Sequence, residues 1–345
     1  MKKSVTISKP DDFHLHIRDG KLMEFAVCQT AKVFSRALIM PNLVKPVATV
    51  KQAESYKKRI LEALPSDSTF QPLMTLYITA ETTKEDIKQA AANEFIYAMK
   101  LFPAGATTNS ASGIQSIEEI REVLEWMEKL GMVLSMHGEV VDAEVDIFDR
   151  ETVFIDRVLT DLLRNYPDLK MVMEHLTTSE AVKFVEESGE NLAATITPHH
   201  LHLNRNDLLS GGIKPHLYCL PIVKKESDRQ ALVDAATSGN PKFFLGTDSA
   251  PHPQSSKETS SGSAGIFSAH AALFLYAEIF NSVNKMDKLE GFASYFGADF
   301  YGLERNQKTI TLTNEKSLIP NEFIYDEEKI IPFKAGEQTC WQVTK

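Results

Sequence analysis

The chain has 345 residues, 43% of them hydrophobic and 24% charged, with a formal net charge of −10. That acidic balance argues against a nucleic-acid or anionic-membrane surface, since both reward basic patches, but leaves room for a local basic pocket that takes a small anion. Cys28, Cys219 and Cys340 are few, odd in number and far apart, which fits reduced thiols rather than a disulfide framework.

Met1 to Thr6 lack the long apolar core of a signal peptide, and the richest apolar stretch, Ala271 to Phe280, is too short to span a bilayer and is broken by Glu278. A soluble, cytoplasmic protein is expected. Short apolar runs alternate with longer amphipathic ones, which predicts a parallel sheet wrapped in helices. The expected strands are Ser4 to Ile7 leading into His14 to Ile17, then Ala37 to Met40, Leu73 to Ile78, Ile96 to Leu101, Val133 to Met136, Lys170 to Met173, Ala193 to Ile196 and Phe243 to Leu245, eight in all. The clearest helix runs from Ile117 to Leu130, with Ser116 and Glu119 as a capping box and Gly131 as its stop. Thr49 to Leu64, ended by Pro65, and Thr83 to Asn93 read the same way. Eight strand–helix units predict a (β/α)8 TIM barrel, with its active site at the C-terminal ends of the strands. Residues 1–345 read as one barrel domain, about 306–345 being an irregular tail packed on it. Pro253 to Gly265, rich in Ser and Gly, reads as a mobile loop.

Polar residues recur where these strands end. In an extended Phe13-His14-Leu15-His16-Ile17-Arg18, the two imidazoles and the guanidinium share one face. Asn42, Lys100, His137, His175 and Asp248 follow at later strand ends. Taken singly, each histidine could be a satisfied buried residue and Asp248 a helix cap. Lys100, flanked by Tyr97, Met99, Leu101 and Phe102, is costly to bury as an ammonium and must snorkel, pair with a carboxylate or be chemically altered. Imidazoles and a carboxylate at one barrel mouth suit first-row divalent metals, zinc included. The surplus of ligands suggests two metals, provided that something bridges them. The carbamate formed from lysine and carbon dioxide is an anion with two oxygens that could do so, and two metals sharing a hydroxide make hydrolytic chemistry.

These residues resemble the amidohydrolase superfamily, and more closely the dihydroorotases of the short bacterial type. The resemblance rests on Pro10 to Gly20, Met40-Pro41-Asn42, Lys100 followed by Pro103 to Ser110, His137-Gly138-Glu139, Glu174-His175, Pro215 to Pro221 and Gly246 to His252. It implies that His14, His16 and Asp248 bind the more buried of two zinc ions, that His137 and His175 bind the second, and that Lys100, as N6-carboxylysine, bridges them with a hydroxide. It also places Arg18, Asn42, His252 and the backbone near Ala264 on the substrate carboxylate, Leu220 at the ring amides, and Thr107 and Thr108 on a closing loop. A homodimer is implied, to which Ala264 to Phe280 could add apolar surface or could equally pack on the barrel. In Ser261 to Gly265 the chain departs from relatives that carry cysteines around the glycine. His199, His200, His202 and His216 crowd the region after the seventh strand, and His200 or His202 could be a ligand by spacing alone.

The implied activity is reversible, zinc-dependent hydrolysis of L-dihydroorotate to N-carbamoyl-L-aspartate in pyrimidine synthesis, with Asp248 as ligand and proton shuttle. The nearest rival is another cyclic amidohydrolase, a hydantoinase, dihydropyrimidinase or allantoinase, whose substrate lacks the acid that Arg18 would hold. A non-catalytic barrel used as an interaction scaffold is the rival from another class, and such a protein would not need the full ligand set.

Overall fold

The computed structural model describes residues 3–344. Its centre is a barrel of eight parallel strands: β2 (Asp11–Leu15), β3 (Arg36–Ile39), β4 (Gln71–Tyr77), β5 (Ile96–Leu101), β6 (Val133–Met136), β7 (Met171–Met173), β8 (Leu192–Ile196) and β9 (Phe243–Leu245), in that spatial order. The two edge strands meet just above their ends. Leu15 bridges Ser249 in parallel, the Asp248 amide donates to the His14 carbonyl at 2.8 Å, and the His16 amide donates to the Ser249 carbonyl at 3.1 Å. Closure of the barrel and assembly of the site therefore use the same backbone atoms.

The opening strand departs from expectation. Ser4–Ser8 (β1) does not lead into the barrel but pairs antiparallel with β10 (Thr309–Thr313), which also pairs with Gln342–Val343. Pro10, which has no N–H, separates it from β2. The tail thus holds the N-terminal strand outside the barrel. Around the barrel lie α1 (Gly20–Ala31), α2 (Val50–Ala63), α3 (Lys84–Ala91), α4 (Arg121–Leu130) and later helices. Thr49 with Gln52 and Thr83 with Asp86 form capping boxes. Ser116 does not form one with Glu119. Its hydroxyl accepts from the Glu118 amide at 3.2 Å, and this shorter reach winds Ile117–Ile120 into a 3₁₀ turn before α4 begins. Gly131, at φ 68°, ends α4 as expected.

The helix Ala272–Ser282 settles the fate of the most apolar stretch. Leu273, Leu275, Tyr276 and Phe280 are buried, and the Tyr276 hydroxyl donates to the Ile196 carbonyl at 2.7 Å. This segment packs on the barrel of its own chain. No helix among the described residues is long and apolar enough to cross a membrane.

Inside the barrel, strand alternation separates floor from site. Leu38, Leu73, Ala98, Val133, Val172, Ala193 and Phe244 form an apolar layer with Phe13. One inward position further along their strands come Lys100, Ser135, Glu174 and Thr195, all buried. Below, Phe13 stacks on Tyr301 at 5.0 Å between ring centroids. Gly297 lies against Phe13 so closely that a Cβ there would stand 2.3 Å from the Phe13 ring. Gly297→Ala is therefore expected to cost about 1–3 kcal/mol of stability through overpacking, read as a lower urea midpoint with unchanged slope. An unchanged midpoint would show that the floor relaxes freely.

Candidate active site

His14 lies in β2 and His16 just beyond it, Lys100 lies in β5, His137 follows β6 directly, and His175 and Asp248 come two and three residues after β7 and β9. All six are buried. His14 Nε2 and His16 Nε2 are 3.2 Å apart, and Asp248 Oδ1 is 3.4 Å from the first and 3.1 Å from the second. The row continues from His14 to His175 and from His175 to His137, each pair with ring centroids 4.9 Å apart.

The tautomers follow from the partners behind the rings. His14 Nδ1 lies 2.9 Å from Glu174 Oε2, a close contact outside hydrogen-bond geometry; since a carboxylate only accepts, it favours the proton on Nδ1 and leaves Nε2 free to face the site. Glu174 is itself held by the hydroxyls of Ser135 and Thr195, each at 2.6 Å. His137 Nε2 pairs with Glu139 Oε2 at 2.7 Å, which leaves Nδ1 for the site. Burial holds His14 below the usual imidazole range, against the pull of Glu174, and holds His16 and His175 well below it. Neutral imidazoles and a carboxylate oxygen converging so closely are satisfied together by a cation. His14, His16 and Asp248 form one group able to hold a metal. Lys100 Nζ is fully buried and has no hydrogen-bond partner among the described residues.

Local backbone fixes this geometry at a cost. Arg18, Asn109, His175 and Asp248 are non-glycine residues with φ of 64°, 55°, 45° and 45°. Such conformations persist only where surrounding contacts enforce them. Asp12 supplies some of those contacts, accepting from the Thr247 amide at 2.8 Å, the Thr247 hydroxyl at 2.6 Å and the His14 amide at 3.1 Å. It thereby ties the strand of His14 to the segment that carries Asp248. Gly246 leaves the necessary room, since a Cβ there would lie 3.0 Å from that of His14.

Beside the imidazoles the structure gathers the residues expected to take an anion. Arg18 Nη2 donates to His252 Nε2 at 2.8 Å and its Nε donates to the Pro251 carbonyl at 3.2 Å. Burial lowers Arg18 to about 10 and His252 to about 2, so His252 is a neutral acceptor for the guanidinium. The Thr108 hydroxyl donates to the Ala264 carbonyl at 3.2 Å, and Asn42 Nδ2 donates to the Thr108 carbonyl at 2.9 Å. Asn109 returns a bond to the Asn42 carbonyl at 3.1 Å. Thr107, Thr108, Leu220 and Ala264 line a cavity of about 20 Å³ with the histidines and Asp248. The bonds of Thr108 to Ala264 and Asn42 hold the 103–113 loop against the site. Outside it, a cavity of about 720 Å³ opens onto Arg18, Thr108 and His252.

The other histidines lie elsewhere. His200 sits with His199 and Cys219 in a second buried group, but its ring nitrogens already meet Thr197 Oγ1 at 2.8 Å and the Pro221 carbonyl at 3.0 Å. His202 Nε2 meets the Leu275 carbonyl at 3.0 Å, and His216 pairs with Glu258 at 2.8 Å. Sequence reasoning missed Asp12 as a clamp, Glu174 as the partner of His14, and Phe102 in the cavity wall. Asp12 and Glu174 stand inside the motifs that mark the site, and their adjacency to His14 and His175 is the signal that could have found them.

No protein-family model matches the chain. A curated dihydroorotase from Nitrosomonas eutropha is 54% identical over 345 residues, covering 99% of this chain and 100% of that protein. The chain belongs to the dihydroorotase family. Its fold agrees: dihydroorotase from Campylobacter jejuni superposes with a TM-score of 0.92 at 36% identity, over 100% of this chain and 98% of that one. Dihydroorotase from Saccharomyces cerevisiae, solved with 5-fluoroorotic acid, gives 0.91 at 32% identity over 99% and 98%. As a member of the dihydroorotase family the chain is a cyclic amide hydrolase. Removing the carboxylate behind His14 should loosen its tautomer and orientation, so Glu174→Gln is expected to weaken divalent-metal binding by about 10- to 100-fold. Competition with a chelator measures this, and unchanged affinity would count against the tautomer argument.

Proposed function

We propose that this site interconverts L-dihydroorotate and N-carbamoyl-L-aspartate, the ring-closing step of pyrimidine synthesis, and that the whole chain acts as one such unit. The observation that carries the reading is the Arg18 guanidinium, bonded to His252 and set with Ala264 directly beside the buried imidazoles and Asp248. On this reading His14, His16 and Asp248 would hold one zinc ion, His137 and His175 would hold a second, and Lys100, as its carbamate, would be the ligand shared by both. When bound, the metals supply Lewis acidity that polarises the ring amide carbonyl and activates water.

The chain's own residues do the rest. Arg18 offers a planar fork of N–H donors that matches the substrate carboxylate, which a lysine could not match. Asn42, His252 and the Ala264 main chain complete that contact, and Leu220 meets the ring amides. Asp248 takes the proton from the attacking water and delivers it to the leaving ring nitrogen, so one carboxylate serves both halves of the reaction. Thr107 and Thr108 cover the substrate and exclude bulk water. The same reading takes the protein as a cytoplasmic homodimer, which its native mass in solution tests.

The deciding experiment measures metal per chain beside turnover of dihydroorotate and of hydantoin, which lacks the acid. The expected result is two zinc ions with strong preference for dihydroorotate; equal turnover of hydantoin would overturn the assignment. Arg18→Met should remove about 2–5 kcal/mol of substrate binding by leaving the carboxylate unpaired, with metal content unchanged. Near-normal turnover would remove Arg18 from the carboxylate. Replacing Thr107 by Gly and Thr108 by Ala together should lower turnover more than metal content, whereas unchanged turnover would contradict a closing loop.

A further inference from the structure

Lys257 is a buried cation outside the cavity lining, bonded to the carbonyl of Gly265, which does line it. It is 3% exposed, and among the described residues no carboxylate pairs with it. Its ammonium instead donates to three main-chain carbonyls, those of Tyr218 at 2.9 Å, Ser263 at 3.0 Å and Gly265 at 2.7 Å. Three N–H donors meet three acceptors, which offsets part of the cost of burying an ion without a counter-charge. Burial still pulls the group down to about 8, against the neighbouring Cys219 sulfur.

The arrangement joins two segments that are far apart in sequence. The first, Tyr218 to Leu220, ends at a wall of the cavity, and the second carries Ala264 between two of the three acceptors. The Tyr218 carbonyl also accepts from the Gly265 amide at 3.0 Å, and the Ser263 amide donates to the Ser256 carbonyl at 3.0 Å. Steric fit reinforces this. A Cβ at Gly262 would stand 2.4 Å from the Lys257 carbonyl, and one at Gly265, whose φ is 143°, would stand 2.8 Å from the Ala250 carbonyl. The stretch expected as a mobile loop is therefore built around a buried ion.

We propose that Lys257 is a positioning residue for substrate recognition: its ammonium, shared by the Tyr218, Ser263 and Gly265 carbonyls, sets the main chain at Ala264 and Leu220 in the register that receives the substrate. The proposal rests on the reading that Ala264 and Leu220 meet the substrate. Lys257 touches no reacting atom, so its loss acts on binding rather than on the chemical step. Its positive charge also lies within electrostatic reach of Arg18 and His252, which favours an anionic ligand there.

The test uses the metal-loaded protein and 5-fluoroorotic acid as an unreactive probe. Lys257→Met is expected to raise the probe's Kd and the KM for dihydroorotate by about tenfold or more, with metal content unchanged and kcat within about threefold. A Kd within about twofold of the natural protein overturns the proposal. Lys257→Gln, which keeps two donors without the charge, is expected to raise Kd by a smaller factor of about three; it also serves if the methionine variant does not fold, and unchanged affinity in it counts equally against the role. The Ala264 amide resonance of the natural protein separates the two readings. It should shift on addition of the probe, and an unmoved resonance overturns the substrate contact itself, whatever the variants show.

Discussion

A lysine amine sealed inside the barrel, without a hydrogen-bond partner among the described residues, is the constraint on which the rest of this structure depends. Lys100 stands one inward position above an apolar floor, and burial lowers it to about 8, although Glu174 and Asp248 pull the other way. A buried ammonium without a partner is among the more costly features a core can hold. Lowering the pKa makes the free amine accessible near neutral pH, and a free amine is what reacts with carbon dioxide. On the proposed reading the carbamate replaces a misplaced cation by an anion, which can offset two dications that would otherwise repel.

The surroundings are arranged for the same end. Ser135 and Thr195 fix Glu174, Glu174 fixes His14, and Asp12 ties the His14 strand to the Asp248 segment at the place where the barrel closes. Strained backbone at Arg18, His175 and Asp248 aims their side chains inward, and closure of the barrel stabilises that strain. The fold's global stability and the site's local geometry are thus coupled. Above this rigid cup, the substrate side is made of loops joined by hydrogen bonds: Asn42 to Thr108, Thr108 to Ala264, Arg18 to His252. This division suits a reaction in which a fixed metal-binding base must admit and then enclose a small anion.

Much of this was legible in the sequence because both signals are local. Apolar runs ending in His, Lys or Asp named the strands and their inward polar residues at once, and Gly131 marked a helix end by its special backbone. What escaped depends on pairing across the chain. Ser4–Ser8 has the composition of a barrel strand, but Thr309–Thr313 claims it as an antiparallel partner. Glu119 stands at capping-box spacing, yet Ser116 reaches only as far as Glu118. Lys257 sits in a stretch whose composition reads as loop, and only the folded chain brings the Tyr218 carbonyl to it. Ala264 to Phe280 had two open readings, and burial of Leu275, Tyr276 and Phe280 shows that its helix packs within the chain.

The most direct measurement is magnetic resonance of the metal-loaded protein equilibrated with isotopically labelled bicarbonate. The account predicts a single carbamate carbon resonance in the natural protein, absent from Lys100→Ala, with loss of much of the second metal in that variant. Two fully bound metals with no carbamate resonance, or a metal-replete and fully active Lys100→Ala, would contradict it.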